Sequence, residues 1–234
     1  MTKYNNYDFQ KFSEQFSELG AFDLLKIMIK KIFLKKIVVT SSFGAESVVI
    51  LHLVSRIDKN VPIIFLDTKK LFPETLEYLK KVKKFLDLKN IKIQKPNLKD
   101  LKINDPKGQL HKSNPELCCK IRKVDPLQNA ISSYEGWING RKNFHGLDRA
   151  NIKKIEKFNN MIKINPLADW SFKKIKNYIE KYKLPEHPLV EKGYKSIGCL
   201  PCTSKVADDE PHRSGRWKNL NKNECGIHTY NPSI

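Results

Sequence analysis

Five cysteines in a chain of 234 residues divide into two close pairs and one outlier. Cys118 and Cys119 are adjacent, Cys199 and Cys202 form "CLPC", and Cys225 lies in "NECGIHTY" near the end. Four thiolates in two pairs are a ligand set for zinc or for an iron–sulfur cluster. Zinc ligands must wrap one small tetrahedral ion, and adjacent cysteines are awkward for that. A cluster with separate iron corners accommodates them, so the spacing favours a cluster, with zinc and a buried, inert pair as the alternatives. Cys225 is then left over. On a terminal segment a thiol does little for a core and is open to oxidation, so it is either an accident of composition or a reactive group.

The cations narrow the choice. The formal net charge is +19, yet only six of the 44 basic residues are arginine. The lysines fall on almost every predicted helix face, whereas a nucleic-acid footprint should cluster; no nucleic-acid partner is expected. Five of the six arginines (Arg122, Arg141, Arg149, Arg213, Arg216) lie in the second half, among the cysteine motifs, where planar bidentate donors suit phosphate or sulfate. "SSFGAES" supplies an anion site of another kind. Ser41 and Ser42 end a strand, Gly44 lets the backbone turn so that amide hydrogens converge, and Ser47 opens a helix. It lacks the second glycine and "GK[ST]" of a triphosphate loop, and an ordinary strand-to-helix turn is the plainer alternative. Leu66 and Asp67 of "LDTKKLFPET" end the next strand, where a base or ribose would be received; Asp67 is as well suited to capping a helix.

Several elements must position these groups. "FDLLKIMIKKIF" predicts a helix over 21–33. Residues 37–40 then read as a strand leading through the polar turn into a helix from about Ala45, and "VPIIFLDT" with "FPETLEYLKKVKKFL" repeats the unit, Pro73 in the first turn. "NIKIQKP" is a third strand. From Leu98 to Glu116 the periodicity dissolves, and a loop is expected. "CCKIRKVDPLQNAI" resumes helical spacing, "GWINGRK" and "MIKINPL" read as strands, and "DWSFKKIKNYIEKYKL" as a helix capped by Asp169 or Ser171. Strands alternating with helices imply a parallel sheet covered on both faces, with ligands at the carboxyl ends of the strands. Residues 1–205 are expected to form one α/β domain that includes the four paired cysteines, and 206–234 a mobile C-terminal tail. "MTKYNNYDFQKFSEQF" does not read as a signal, and runs such as "SVVILHLV" are too short to span a bilayer, so a soluble, cytoplasmic protein is expected.

The segments "SSFGAESVVILH", "LDTKKLFPETLEY", "CCKIRKVDPL", "NPLADWS", "HPLVEKGYKSIGCLPCT", "RSGRW" and "ECGIH" together resemble the assimilatory adenylyl-sulfate reductases, the cluster-containing relatives of phosphoadenylyl-sulfate reductase. They run in that family's order from about Ser41 to His228. The resemblance implies an adenine-nucleotide α-hydrolase-like fold and reduction of adenosine 5′-phosphosulfate (APS) to sulfite and AMP. It implies a [4Fe-4S] cluster on Cys118, Cys119, Cys199 and Cys202, and Cys225 as a nucleophile that becomes an S-sulfocysteine. Thioredoxin or a glutaredoxin-like protein would be the electron donor, acting in trans. Ser41, Ser42, Gly44, Ser47, Leu66 and Asp67 would receive the nucleotide; Lys123, Arg141, Arg213 and Arg216 would surround its sulfate. Arg122 is as well suited to a structural ion pair and His228 to packing beside the tail, so neither is counted in the catalytic set.

The chain departs from the family at three places. Lys69 stands where the family has a glycine, Lys142 where it has an arginine, and "SNPELCC" lacks the usual histidine before the paired cysteines. The alternatives are a reductase of the 3′-phosphorylated nucleotide (PAPS), or of both nucleotides; an ATP-consuming thiolase or sulfurtransferase of the same fold; and, more distantly, a zinc-stabilised nucleic-acid binder. A homo-oligomer is compatible with all of them.

Overall fold

The structure is a computed structural model that describes residues 6–218, 220 and 222–228. It opens with α1 (Asn6–Ser17) and α2 (Ala21–Ile27), the latter continuing into a π turn over Met28–Ile32. The helix predicted over 21–33 is therefore present with its last turn widened. Then follow β1 (Ile37–Thr40), α3 (Ser47–Ser55), β2 (Ile63–Leu66), α4 (Pro73–Phe85) and β3 (Ile91–Gln94), the repeated strand–helix units of the sequence.

The loop expected between Leu98 and Glu116 is instead largely helical. It holds α5 (Leu98–Asn104), α6 (Leu110–Ser113) and the start of α7 (Pro115–Cys119). Local caps substitute for an apolar stripe: the Asn97 side chain accepts from the Lys99 amide and the Asn114 side chain from that of Leu117, satisfying amides that each helix start leaves bare. None of the residues of α5 is fully buried, which is why its periodicity carries no signal.

From Cys119 the chain runs through a second π turn, Lys120–Val124, into α8 (Asp125–Ile131). The remainder is β4 (Gly136–Ile138), β5 (Ile155–Phe158), β6 (Met161–Ile164) and α9 (Phe172–Lys181). Of the two candidate caps for α9, Ser171 is the one used, accepting from the Lys174 amide at 3.2 Å.

Among the described residues the strands form one six-stranded sheet, ordered β3-β2-β1-β4-β6-β5. All neighbours are parallel except the edge strand β5, which pairs antiparallel with β6. Alternate residues face opposite layers. Val39, Ile63, Phe65 and Ile138 pack with side chains of α2, α3, α4 and α9, while Val38, Ile64 and Trp137 face Leu127 and Ile131 of α8. Each large apolar side chain so buried contributes about 1.5–3 kcal/mol relative to exposure. From β1 the order proceeds one way to β2 and the other way to β4, and the loops leaving β1 and β4 diverge there, opening the crevice in which such sheets hold ligands. Among the described residues no helix is long and apolar enough to cross a membrane.

Candidate active site

A cavity of about 220 Å³ occupies that crevice. The loop after β1 forms one wall, with Ser41, Ser42, Gly44 and Ser47 all lining it. Its turn is made differently from the expectation. Phe43, not Gly44, takes the left-handed conformation (φ 47°), and the Ser41 hydroxyl accepts the Phe43 amide at 3.2 Å. Gly44 is needed for close approach: an added Cβ would lie 3.2 Å from the carbonyl oxygen of Ile197, so a side chain would push the cysteine-bearing loop away.

Leu66 lines the cavity as well, but Asp67 does not. Its carboxylate turns back on Lys69, accepting the Lys69 amide at 3.0 Å and pairing with Nζ at 2.9 Å. Lys69 itself is left-handed, φ 60°. A lysine thus holds a conformation that L residues other than Asn and Asp seldom adopt, with the Asp67 contacts supporting it.

The cysteines define a second cavity beside the first. Cys118, Cys119, Cys199 and Cys202 all line it, together with Lys123 and Arg122. Cys199 and Lys123 line both cavities. The adjacency is built by backbone pairing: Leu71 bridges Cys199, the Leu200 amide donates to the Lys70 carbonyl at 2.7 Å, and Thr68 Oγ1 meets Cys199 Sγ at 3.2 Å. Lys123 reaches both spaces from within the π turn after Cys119, not from a regular helical turn; such widened turns recur at functional positions.

All five cysteines are free. Burial pushes the Cys119 thiol up to about 12 and raises those of Cys118 and Cys202. Cys199 is buried too, but Lys123 and the Thr68 hydroxyl outweigh the burial and lower it. For Lys123, burial opposes the charge, yet Cys199, Cys225 and Cys119 around it keep its pKa above the usual lysine value. Four thiols, three of them buried, are costly as bare thiolates and become favourable on a cationic centre, so the donor set fits a thiolate-ligated metal group. Among the described residues no group of three or more His, Cys, Asp or Glu is arranged to hold a single metal ion.

Cys225 lies in the larger cavity with Lys123, Arg141, Arg213 and Arg216. Trp217, which the sequence did not single out, gathers three of these cations. Arg216 sits 4.3 Å from its ring centroid, Arg213 5.8 Å and Lys123 5.9 Å, distances at which the ring quadrupole attracts them. Burial, with Arg149 close by, lowers Arg213 to about 10. Crowded, desolvated cations of this kind favour an anionic ligand. Arg122 stands apart in a buried pair with Asp105 at 2.5 Å, its other arm on the Thr68 carbonyl at 2.8 Å, the structural one of the two roles the sequence left open.

The structure adds Glu46, Asn139, His145 and Glu224, which the sequence did not mark; they line the larger cavity together with Lys142, Arg149 and His228. His228 stacks on Trp137 at 5.1 Å and 14°, and burial beside Arg141 and Lys163 keeps its imidazole neutral. Asn139 Nδ2, Arg141 Nε and His228 Nδ1 are buried without a hydrogen-bond partner among the described residues, which in a cavity marks groups open to a ligand. Ile227 rests on the apolar layer around Trp137. The terminal segment, through His228, is therefore docked on the domain; residues 219, 221 and 229–234 of the expected tail lie outside the described residues.

Comparison with known proteins gives a consistent result. The phosphoadenosine phosphosulfate reductase domain matches residues 36–205. The adenosine 5′-phosphosulfate reductase of Mesorhizobium japonicum is 42% identical over 213 residues, covering 91% of this chain and 84% of that protein. The protein of the same name from Staphylococcus haemolyticus is 36% identical over 233 residues, covering 96% and 95%. Among solved structures, the phosphoadenylyl-sulfate reductase of Candida auris in its phosphate complex superimposes with a TM-score of 0.73 at 27% identity, over 87% of this chain and 98% of that one. Yeast FAD synthetase shares the fold alone, at a TM-score of 0.55 and 13% identity, covering 83% of this chain and 73% of that one.

Proposed function

Because the chain belongs to the phosphoadenosine phosphosulfate reductase family, matched from residue 36 to 205, we propose that it reduces adenosine 5′-phosphosulfate to sulfite and AMP in sulfate assimilation. One observation carries this reading. A free thiol, Cys225, shares a cation-lined cavity with the loop after β1, and that cavity abuts the four-cysteine cavity through Lys123 and Cys199.

The chemistry follows from the groups present. The Cys225 thiolate attacks the sulfonyl sulfur; a sulfur–sulfur bond forms as the sulfur–oxygen bond breaks, and AMP leaves with the electron pair. Lys123, Arg213 and Arg216 bind the sulfate and stabilise the charge that grows as AMP departs. A dithiol protein of the thioredoxin or glutaredoxin type then attacks Sγ of Cys225. Sulfite leaves with the electrons of the sulfur–sulfur bond, and the donor's second thiol resolves the mixed disulfide, so the donor is oxidised by two electrons and Cys225 is restored. Residues 206–234 act as the tail that presents Cys225 first to the nucleotide and then to the donor.

Cys118, Cys119, Cys199 and Cys202 would hold a [4Fe-4S] cluster. They line one cavity, and such a cluster takes one thiolate at each of its irons. The cluster would supply a delocalised charge beside Lys123, coupled electrostatically to the sulfate. Anaerobically purified protein is expected to contain about four iron and four acid-labile sulfide per chain; zinc without iron overturns the assignment.

The relatives named as adenosine 5′-phosphosulfate reductases, 36–42% identical, favour the nucleotide without a 3′-phosphate. The Candida auris neighbour, named for the 3′-phosphorylated substrate, supports the second reading, a PAPS or dual reductase. Sulfite release from the two nucleotides side by side decides it: a higher kcat/KM for APS is expected, and a clear preference for PAPS reverses the choice.

A substitution tests the cation cage. A Cβ on Gly198 would lie 2.4 Å from three guanidinium atoms of Arg216, so Gly198→Ala must expel that side chain. KM for the nucleotide is expected to rise about tenfold or more, the loss of one charge-assisted contact, with iron content unchanged. An unaltered KM would remove Arg216 from the sulfate contacts.

A further inference from the structure

A continuous set of polar contacts joins the loop after β1 to the segment carrying Cys225. At one end Glu46 is held by Lys142 Nζ at 2.5 Å and by His145 Nε2 at 3.1 Å. Arg149 Nη1 lies 3.2 Å from the other imidazole nitrogen, Nδ1. The remaining arms of Arg149 grip Glu224 in a fork: Nε reaches Oε1, and Nη2 reaches Oε2 at 2.9 Å. Arg213 adds a second grip, 3.5 Å from the same carboxylate, and donates to the Asn223 carbonyl at 2.7 Å. Glu224 is the residue before Cys225.

The polarity of the set is defined by chemistry. Arginine only donates, so His145 Nδ1 accepts; Nε2 then carries the proton and donates to Glu46. A neutral imidazole thus transmits orientation between two carboxylates. The participants are enclosed: side-chain exposure is 9% for Glu46, 10% for His145, 14% for Arg149 and 11% for Glu224. A paired, desolvated fork of this kind holds its geometry better than a surface ion pair.

We infer that Glu224 is a positioning residue whose ion pair with Arg149, backed by His145 and Glu46, latches the terminal segment so that Cys225 stays within the cavity. Meeting the donor requires the latch to open, and the guanidinium groups that hold it also line the cavity, so an entering anion draws on the same cations. The inference rests on the reading of Cys225 as nucleophile, but its test does not need turnover.

The test is the rate at which iodoacetamide labels Cys225, resolved by peptide mass spectrometry, in the anaerobically purified holoprotein without nucleotide. Glu224→Gln keeps the shape and removes the charge. It is expected to label about tenfold faster, as a larger open fraction dictates, and to bind AMP at least as tightly as the parent. Arg149→Gln is expected to accelerate labelling similarly, and the double variant no further than the faster single, because both break one contact. Labelling of Glu224→Gln at the parental rate overturns the latch, as do single effects that multiply in the double variant. Parental protein that forms no S-sulfonate on Cys225 in a single turnover overturns the nucleophile instead, and leaves the labelling rates to decide the latch by themselves.

Discussion

Cys225→Ser is expected to lose sulfite release by at least about a thousandfold while keeping AMP affinity within about twofold and the full iron content. The loss follows from the nucleophile: a serine hydroxyl is a weak nucleophile without a general base, whereas sulfur is far more polarisable and intrinsically more nucleophilic. It also cannot be resolved by thiol exchange, so the second half of the cycle fails as well. The retention follows from the geometry. Cys225 lines the nucleotide cavity but not the cavity of the other four thiols, and replacing one sulfur by oxygen leaves the Glu224 and Ile227 contacts on either side in place. Sulfite production, AMP titration and iron analysis on the same preparation check all three; turnover by the variant would sink the covalent mechanism.

Much of this arrangement was legible in the residues, and the parts that were not have identifiable causes. The central strands read correctly because β1 and β2 are apolar on both faces, a signal that survives without context. β5 escaped: only Ile155 and Phe158 of its four residues are buried, an i, i+3 spacing that breaks strand alternation and is the spacing of a helix face. α1 passed unread although Phe12 and Phe16, one turn apart, meet edge to face at 5.0 Å and Phe12 reaches Phe33 at 6.4 Å. Between Leu98 and Glu116 the helices are short; Leu98 and Ile103 are exposed, by 71% and 76%, and the inward Leu110 with the partly buried Leu101 is too sparse to make a periodic stripe.

The site divides along the same line. Cysteines announce themselves by type and spacing, and the anion loop by its place after a strand. Glu46, His145, Arg149 and Glu224 do not, because each is an ordinary charged or polar residue whose meaning lies in a partner far along the chain: Glu46 with His145, 99 positions on, and Arg149 with Glu224, 75 on. Lys69 is a case of the opposite kind. Its type argues against a left-handed backbone, yet φ is 60°, with the Asp67 carboxylate bound to both its amide and its ammonium. Side-chain contacts here offset a backbone cost of about 1 kcal/mol.

Lys123→Met is expected to lower kcat/KM by about 10²–10³, the usual consequence of removing one preorganised group from a developing charge. The size of the effect comes from where the ammonium sits. Half-buried beside Trp217, it faces Cys199 and Cys225 together, and their proximity keeps it charged against the burial that opposes it. A cation in that position stabilises the oxygens of the sulfate under attack and the charge that passes toward AMP. Methionine preserves the length and packing of the stem while removing the charge, so iron content and thermal unfolding should change little. AMP, which lacks the sulfate, should bind nearly as before. Parental kcat/KM in this variant would confine Lys123 to packing between the two cavities, and the electrostatic link between cluster and sulfate would have to run through Arg216, whose Nε already donates to the Cys202 carbonyl at 3.2 Å.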